Sequence, residues 1–132
     1  MIDRKELKEV AKAKLKDAEV LYQNKRYDSA YYLVGYAVEL ALKARICRTL
    51  KWSGFPETGG EFKNLQSFKT HNLEVLLKLS GVEEKIRTNY ISEWSIVLEW
   101  NPELRYGTTG TINNQKAEDM IAAVTSLFTA LR

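Results

Sequence analysis

KRYDSAYYLVGYAVELALKARICRTL, Lys25 to Leu50, is the stretch whose reading decides how this chain folds. Between Ala30 and Leu42 it carries a single ionisable acid, Glu39, in an otherwise apolar, tyrosine-rich run. Ala30, Leu33, Val34, Ala37, Leu40, Ala41, Ala44 and Cys47 recur at three- and four-residue steps, the spacing of a core-facing helix. Tyr31, Tyr32, Tyr36, Val38 and Leu42 fill the other faces, so the helix is apolar nearly all round. Such a helix belongs in the middle of a bundle or at a subunit interface, not on a wet surface.

Upstream of it, Leu7, Ala11, Leu15, Ala18 and Tyr22 form one stripe, which predicts a helix from about Asp3 to Asn24 with Asp3 and Glu6 as a cap pair. Lys8, Lys12 and Lys16 form a row on another face, either a solvated face or a contact for phosphates. Asp28 is placed to cap the second helix after a very short connection, so the first two helices make an antiparallel hairpin.

Downstream, the second helix should stop near Lys51. WSGFPETGGEFKNLQSFK, residues 52–69, has loop composition, yet Trp52, Phe55, Phe62, Leu65 and Phe68 are too many large apolar groups for a free linker. It is expected to pack back on the bundle. Thr70 or Asn72 should start a short third helix through Leu73, Leu76, Leu77 and Leu79, stopped by Gly81. A fourth helix is read from Glu83 to Trp100, with Ile86, Tyr90, Trp94 and Val97 on one face, ended by Asn101-Pro102. After the loop ELRYGTTGTIN, Asn113 or Asn114 caps a last helix in which Ala117, Met120, Ile121, Val124, Leu127, Phe128 and Leu131 keep the helical period. No segment shows sustained two-residue alternation, so no sheet is read. The expected fold is all-α, an up-and-down bundle of about five helices with one long packed loop, in a single domain over residues 1–132.

Composition limits the function classes. The 132 residues are 28% charged and 45% hydrophobic, as in ordinary soluble globular proteins. A net charge of +3 is too small to imply nucleic-acid binding by field alone. Its distribution is uneven: residues 1–51 hold twelve Lys/Arg against seven Asp/Glu, and residues 52–132 hold eight against ten. The lone cysteine, Cys47, lies on the apolar face and fits a reducing compartment. The start MIDRKELKEV has no apolar signal region, and Gly35, Glu39 and Lys43 interrupt the best membrane-span candidate, so a cytoplasmic protein is expected.

No Gly-rich phosphate loop, HExxH, Cys/His zinc cluster or GxSxG elbow occurs. No cofactor, metal site or catalytic residue is therefore read from motifs. Glu39 and Lys43, four apart in the order that favours a helical ion pair, are the only charges in a hydrophobic helix centre. They read either as a pair at the rim of the core or as a ligand or partner contact, with Tyr36 one turn before them. His71, the single histidine, either holds the entry of the third helix or acts as acid, base or nucleic-acid contact. Arg105 and Tyr106 lie in a polar loop, where a planar guanidinium and an amphipathic ring suit a partner or nucleotide, or simply anchor the loop to helix ends.

Arg26-Tyr27-Asp28 with Ala30, YAVELALKA from Tyr36 to Ala44, Thr70-His71 with Leu73 and Leu76, and Arg105-Tyr106 together resemble the HEPN family of small helical-bundle domains. The second-helix block is the most specific part. The resemblance implies an all-α bundle, often dimeric and often paired with a small nucleotidyltransferase in a toxin–antitoxin or defence setting. Active members are metal-independent ribonucleases that use an arginine followed, four to six residues later, by a histidine on a late helix.

This chain departs from that pattern. With four to six intervening residues, Arg87 is followed by Ser92, Glu93 and Trp94, and Arg105 by Gly110, Thr111 and Ile112; the only histidine precedes both. The ribonuclease residues therefore do not carry over. Tyr36, Glu39, Lys43, His71, Arg105 and Tyr106 remain as candidate binding residues. The expectation is a non-catalytic interaction module, a homo-oligomer, binding a partner protein (a separate nucleotidyltransferase among them) or RNA or nucleotide. The alternative is a ribonuclease toxin with a rearranged site.

Overall fold

Asn24, Lys25 and Arg26 turn the chain back on itself, and Lys25 takes the left-handed conformation (φ 61) that so tight a reversal needs. On either side run α1 (Arg4–Gln23) and α2 (Tyr27–Leu50), packed along their length as a hairpin. The computed structural model describes residues 1–101 and 110–132. Four shorter helices follow: α3 (Leu73–Leu79), α4 (Glu83–Asn89), α5 (Ile91–Val97) and α6 (Asn114–Ala130). The fold is an all-α helical bundle, and no helix of the described residues is long and apolar enough to cross a membrane.

The stripe read on α1 is the buried one: Leu7, Ala11, Leu15 and Ala18 face α2 and the core. Asp3 caps α1, accepting from the Lys5 N–H at 2.7 Å. On α2 burial reaches every face, from Ala30 and Tyr31 through Val34, Val38 and Leu42 to Ile46 and Cys47. The bundle covers this helix with α1 on one side and α3 and α6 on the others. The α6 stripe of Ala117, Met120, Val124 and Leu127 closes the core. Asn114 fastens that helix to the hairpin, accepting from the Tyr22 hydroxyl at 2.6 Å and donating to the Tyr27 hydroxyl at 3.1 Å.

The long loop packs back as its aromatics require. Phe55 and Phe62 are buried, and Trp52 meets Phe55 edge-on and Phe68 at a tilt, at centroid distances of 6.4 and 5.0 Å. It departs from expectation at one place: Gly54–Phe55 (β2) pairs antiparallel with Ile2–Asp3 (β1), with Ile2 opposite Phe55. A two-residue ladder is too short to leave an alternating pattern in the sequence.

Two further expectations are corrected. The helix read from Glu83 to Trp100 breaks at Tyr90 (φ −133, ψ 29) into α4 and α5. Asn89, Tyr90, Ile91 and Ser92 are all middling or poor helix formers. α4 buries Ile86 and α5 buries Trp94 and Val97, so the described residues form six α-helices, in keeping with a bundle of about five. Asp28 does not cap α2, which begins at Tyr27 without a side-chain cap. Its carboxylate reaches across the fold and accepts from the backbone N–H groups of Gly110 and Ile112. The predicted caps Asn72 and Asn113 do act as such, accepting from Val75 N–H at 3.2 Å and Lys116 N–H at 2.8 Å.

At Gly35 a large side chain comes close against the α2 backbone. A Cβ there would lie 2.1 Å from the Trp100 indole, whose Nε1 donates to the Tyr32 carbonyl at 3.2 Å. The missing side chain lets the large ring seat against α2.

Candidate functional site

Tyr36, Glu39 and Lys43 fall at three- and four-residue steps, which places them together on the face of α2 that α3 and the packed loop approach. Glu39 is 2% exposed, a carboxylate in the centre of the bundle. Such a group is tolerated only when it is paired. Its Oε2 receives two partners: Lys43 Nζ at 3.1 Å and His71 Nδ1 at 2.9 Å. The pairing with His71 spans the long loop, so it exists only once that loop has docked.

The partners differ in burial. Lys43 is 16% exposed, and its ammonium also sits 5.4 Å from the centre of the Phe55 ring, a further favourable contact for a cation. His71 is 70% exposed. A carboxylate oxygen can only accept, so the hydrogen bond puts the imidazole proton on Nδ1 and leaves Nε2 as the outer edge of the ring. His71 is held by its neighbours as well: the Thr70 hydroxyl accepts from Asn72 N–H at 3.0 Å, and Asn72 caps α3. Tyr36, half-buried beside this group, has its phenol held above the ordinary value, first by burial and then by the charge of Glu39. It stays protonated at neutral pH.

His71 lines a cleft of about 410 Å³ together with Asn72, Leu73, Glu74, Leu98, Trp100 and Asn101. Leu98 is 44% exposed and Trp100 is buried behind it. Glu74 is engaged, accepting from Trp94 Nε1 at 3.2 Å and pairing with Arg87. No lysine or arginine lines this cleft among the described residues.

The structure therefore brings together Tyr36, Glu39, Lys43 and His71 from the six sequence-derived candidates. Arg105 and Tyr106 lie outside the described residues. Sequence reasoning missed Phe55 over Lys43, and Leu98 and Trp100 in the cleft wall. Only Gly35, a glycine inside a strong helix pattern, signalled that a large neighbour approaches there. Among the described residues no three His, Cys, Asp or Glu side chains come together as a metal ion would need.

A family model described as HEPN domain matches residues 5–58, which span the α1–α2 hairpin and the first part of the packed loop. No curated protein and no solved structure matches the chain. The hairpin that supplies Tyr36, Glu39 and Lys43 lies within the matched segment, and over that part of its length the chain is similar to the HEPN domain family.

Proposed function

We propose that this protein is a non-catalytic HEPN interaction module that works in the cytoplasm as a dimer and docks a partner protein at the His71 cleft. The observation that supports this most is the closed charge balance at Glu39. Its carboxylate is buried and shared between Lys43 and His71, so the group organises the cleft's edge without presenting a free acid or cation for chemistry. What the cleft offers outward is an imidazole edge and exposed Leu98, a mixture suited to a protein surface. A separate nucleotidyltransferase, in a toxin–antitoxin or defence setting, is the partner that the family likeness implies. Because the bundle itself covers α2, self-association would use other apolar groups, such as exposed Ile91 at the start of α5.

A second reading is favoured by one feature: a carboxylate holding Nδ1 of an exposed imidazole is how a general base is oriented. Against it, the cleft shows no cation to stabilise charge at phosphorus among the described residues. Incubating short RNA with purified protein at neutral pH in EDTA separates the two. No cleavage is expected. Cleavage that disappears in a folded His71→Ala variant would replace the module with a ribonuclease. Light scattering at micromolar concentration tests the dimer, and a clean 15.2 kDa monomer would remove it.

A further inference from the structure

The C-terminal end of α2 carries a second, differently built polar region. Arg4, Lys8 and Lys12 follow at four-residue steps on α1, roughly 6 Å apart along its axis. Two adjoining cavities lie where α1, the end of α2 and the end of α6 meet. One, of about 160 Å³, is lined by Arg4, Lys8, Arg45 and Arg48 with Leu131. The other, of about 230 Å³, shares Lys8 and Arg48 and continues past Lys12 over Ala11, Ala41 and Phe128.

No carboxylate side chain lines either cavity. Among the described residues, none of Arg4, Lys8, Lys12, Arg45 and Arg48 makes a salt bridge. The acceptor that the fold supplies is the main-chain oxygen of Arg132, to which Arg45 Nη1 donates at 2.7 Å, while Arg45 Nε is buried with no partner. The smaller cavity thus already holds one peptide oxygen among its cations.

The sizes favour a passing chain over a compact ligand. Each cavity is smaller than the roughly 300 Å³ at which pockets for whole small molecules begin. Each suits a single side chain, and two side by side suit two side chains of one peptide. In an extended peptide, residues two apart point the same way and stand roughly 6.6 Å apart. That is close to the step from Arg4 to Lys8 and from Lys8 to Lys12. The smaller cavity is cationic and the larger has an apolar floor, so the two side chains must differ in kind.

We propose that this cleft docks an extended acidic segment of a partner protein. One carboxylate side chain sits among Arg4, Arg45 and Arg48, and an apolar side chain two residues away lies over Ala11, Ala41 and Phe128. Guanidinium forks match carboxylate oxygens in pairs, which makes the arginines of the smaller cavity the acid-binding groups. Lys8 and Lys12 flank the segment and favour further acids along it. The cleft uses none of the Tyr36, Glu39, Lys43 and His71 group and does not rest on the function proposed above.

Fluorescence anisotropy of a short labelled peptide tests the assignment, with glutamate and leucine alternating at every second position and serine between them. The full chain should bind it saturably at one site, and the same peptide with glutamine for glutamate should bind about ten-fold more weakly. Serine in place of leucine should weaken it several-fold. Arg48→Gln, at an exposed position, should cost about ten-fold in affinity with the circular dichroism spectrum unchanged, and Arg45→Gln the same if it folds. Lys16→Gln, in the same lysine row but outside both cavities, should leave the affinity as it was. The assignment is overturned by absence of saturable binding, or by binding that Arg48→Gln leaves intact. A leucine-free peptide bound as tightly would also overturn it, since the apolar floor would then play no part. So would a short single-stranded RNA bound more tightly than the peptide, which marks a nucleic-acid face instead.

Discussion

One helix, α2, holds a buried charge in its middle and a cluster of charges at its end, and the two are built on opposite terms. Around Glu39 one buried carboxylate is shared between the Lys43 ammonium, which has an aromatic ring behind it, and the exposed His71 imidazole. Around Arg45 and Arg48 several cations crowd together, and the acceptor the fold supplies is the main-chain oxygen of Arg132, taken by Arg45 Nη1. The first arrangement satisfies itself and holds the long loop against the helix. The second sets like charges side by side. A charge that the fold has already neutralised is architecture, and one the fold leaves open is where a ligand is to be sought.

The comparison can be broken first at Gly35, one turn before Glu39. Alanine would ordinarily gain about 1 kcal/mol over glycine inside a helix, but here its Cβ overlaps the Trp100 indole. We expect Gly35→Ala to lose roughly 2–4 kcal/mol net, since overpacking of a rigid ring forces backbone shifts. Urea melts followed by tryptophan emission measure it. A variant at least as stable as the parent would mean that the middle of α2 is looser than its packing indicates.

Next in size is Glu39→Ala, which strands Lys43 in a poorly solvated position and unties His71. A loss of roughly 2–3 kcal/mol is expected, with Glu39→Gln less severe. Denaturant melts showing no loss would demote the group to a solvent-exposed contact and erase the contrast with the other end of the helix.

At that other end, burial pushes the Cys47 thiol up from 9.0 to about 11, the nearby Arg4 charge opposing it only in part. Tyr31, for the same main reason, is raised from 10.0 to about 12. Both groups bind their proton more tightly folded than unfolded, so their contribution is complete below the unfolded values and disappears as pH rises through the folded ones. Stability should therefore fall between about pH 9 and 11, by roughly 1–2 kcal/mol from Cys47. Cys47 should also resist thiol reagents at pH 8 until the protein is unfolded. Flat melting temperatures from pH 8 to 11 would contradict this.

The smallest effect sharpens the comparison most. Arg48→Gln should change stability by no more than about 0.5 kcal/mol, the direction being a gain because like-charge crowding is relieved. A loss of the size expected for Glu39→Ala would show that these cations are paired after all.

Much of this was legible in the sequence, and the unread part has a physical pattern. Periodicity located α1, α2 and α6 and their buried stripes, because burial of one face repeats at the helical step. Asn72 and Asn113 were readable as caps because a short polar side chain just before an apolar period has one good use. Asp28 has the same credentials but reaches Gly110 and Ile112 instead, a choice made by tertiary neighbours. Glu39 and Lys43 announced themselves as a helical pair, whereas His71 joins them across 32 positions and only three-dimensional structure could bring it there. The basic cleft was half visible. Lys8 and Lys12 of the expected row line it and Lys16 does not, while Arg45 and Arg48 stood unremarked at the end of an apolar helix.

The latch at Asn114 has a consequence for how the chain reaches this structure. α1 and α2 meet through a three-residue turn, so their contacts close at little entropic cost and form the natural nucleus. Asn114 can find Tyr22 and Tyr27 only after the intervening chain has been gathered in, which makes the docking of α6 a late, loop-closing event. Substitutions in the hairpin such as Leu7→Ala should then slow refolding, while Asn114→Ala should chiefly speed unfolding, a partition that stopped-flow chevrons would reveal. The family-matched segment would be the part that folds first, and the remainder of the chain would assemble upon it.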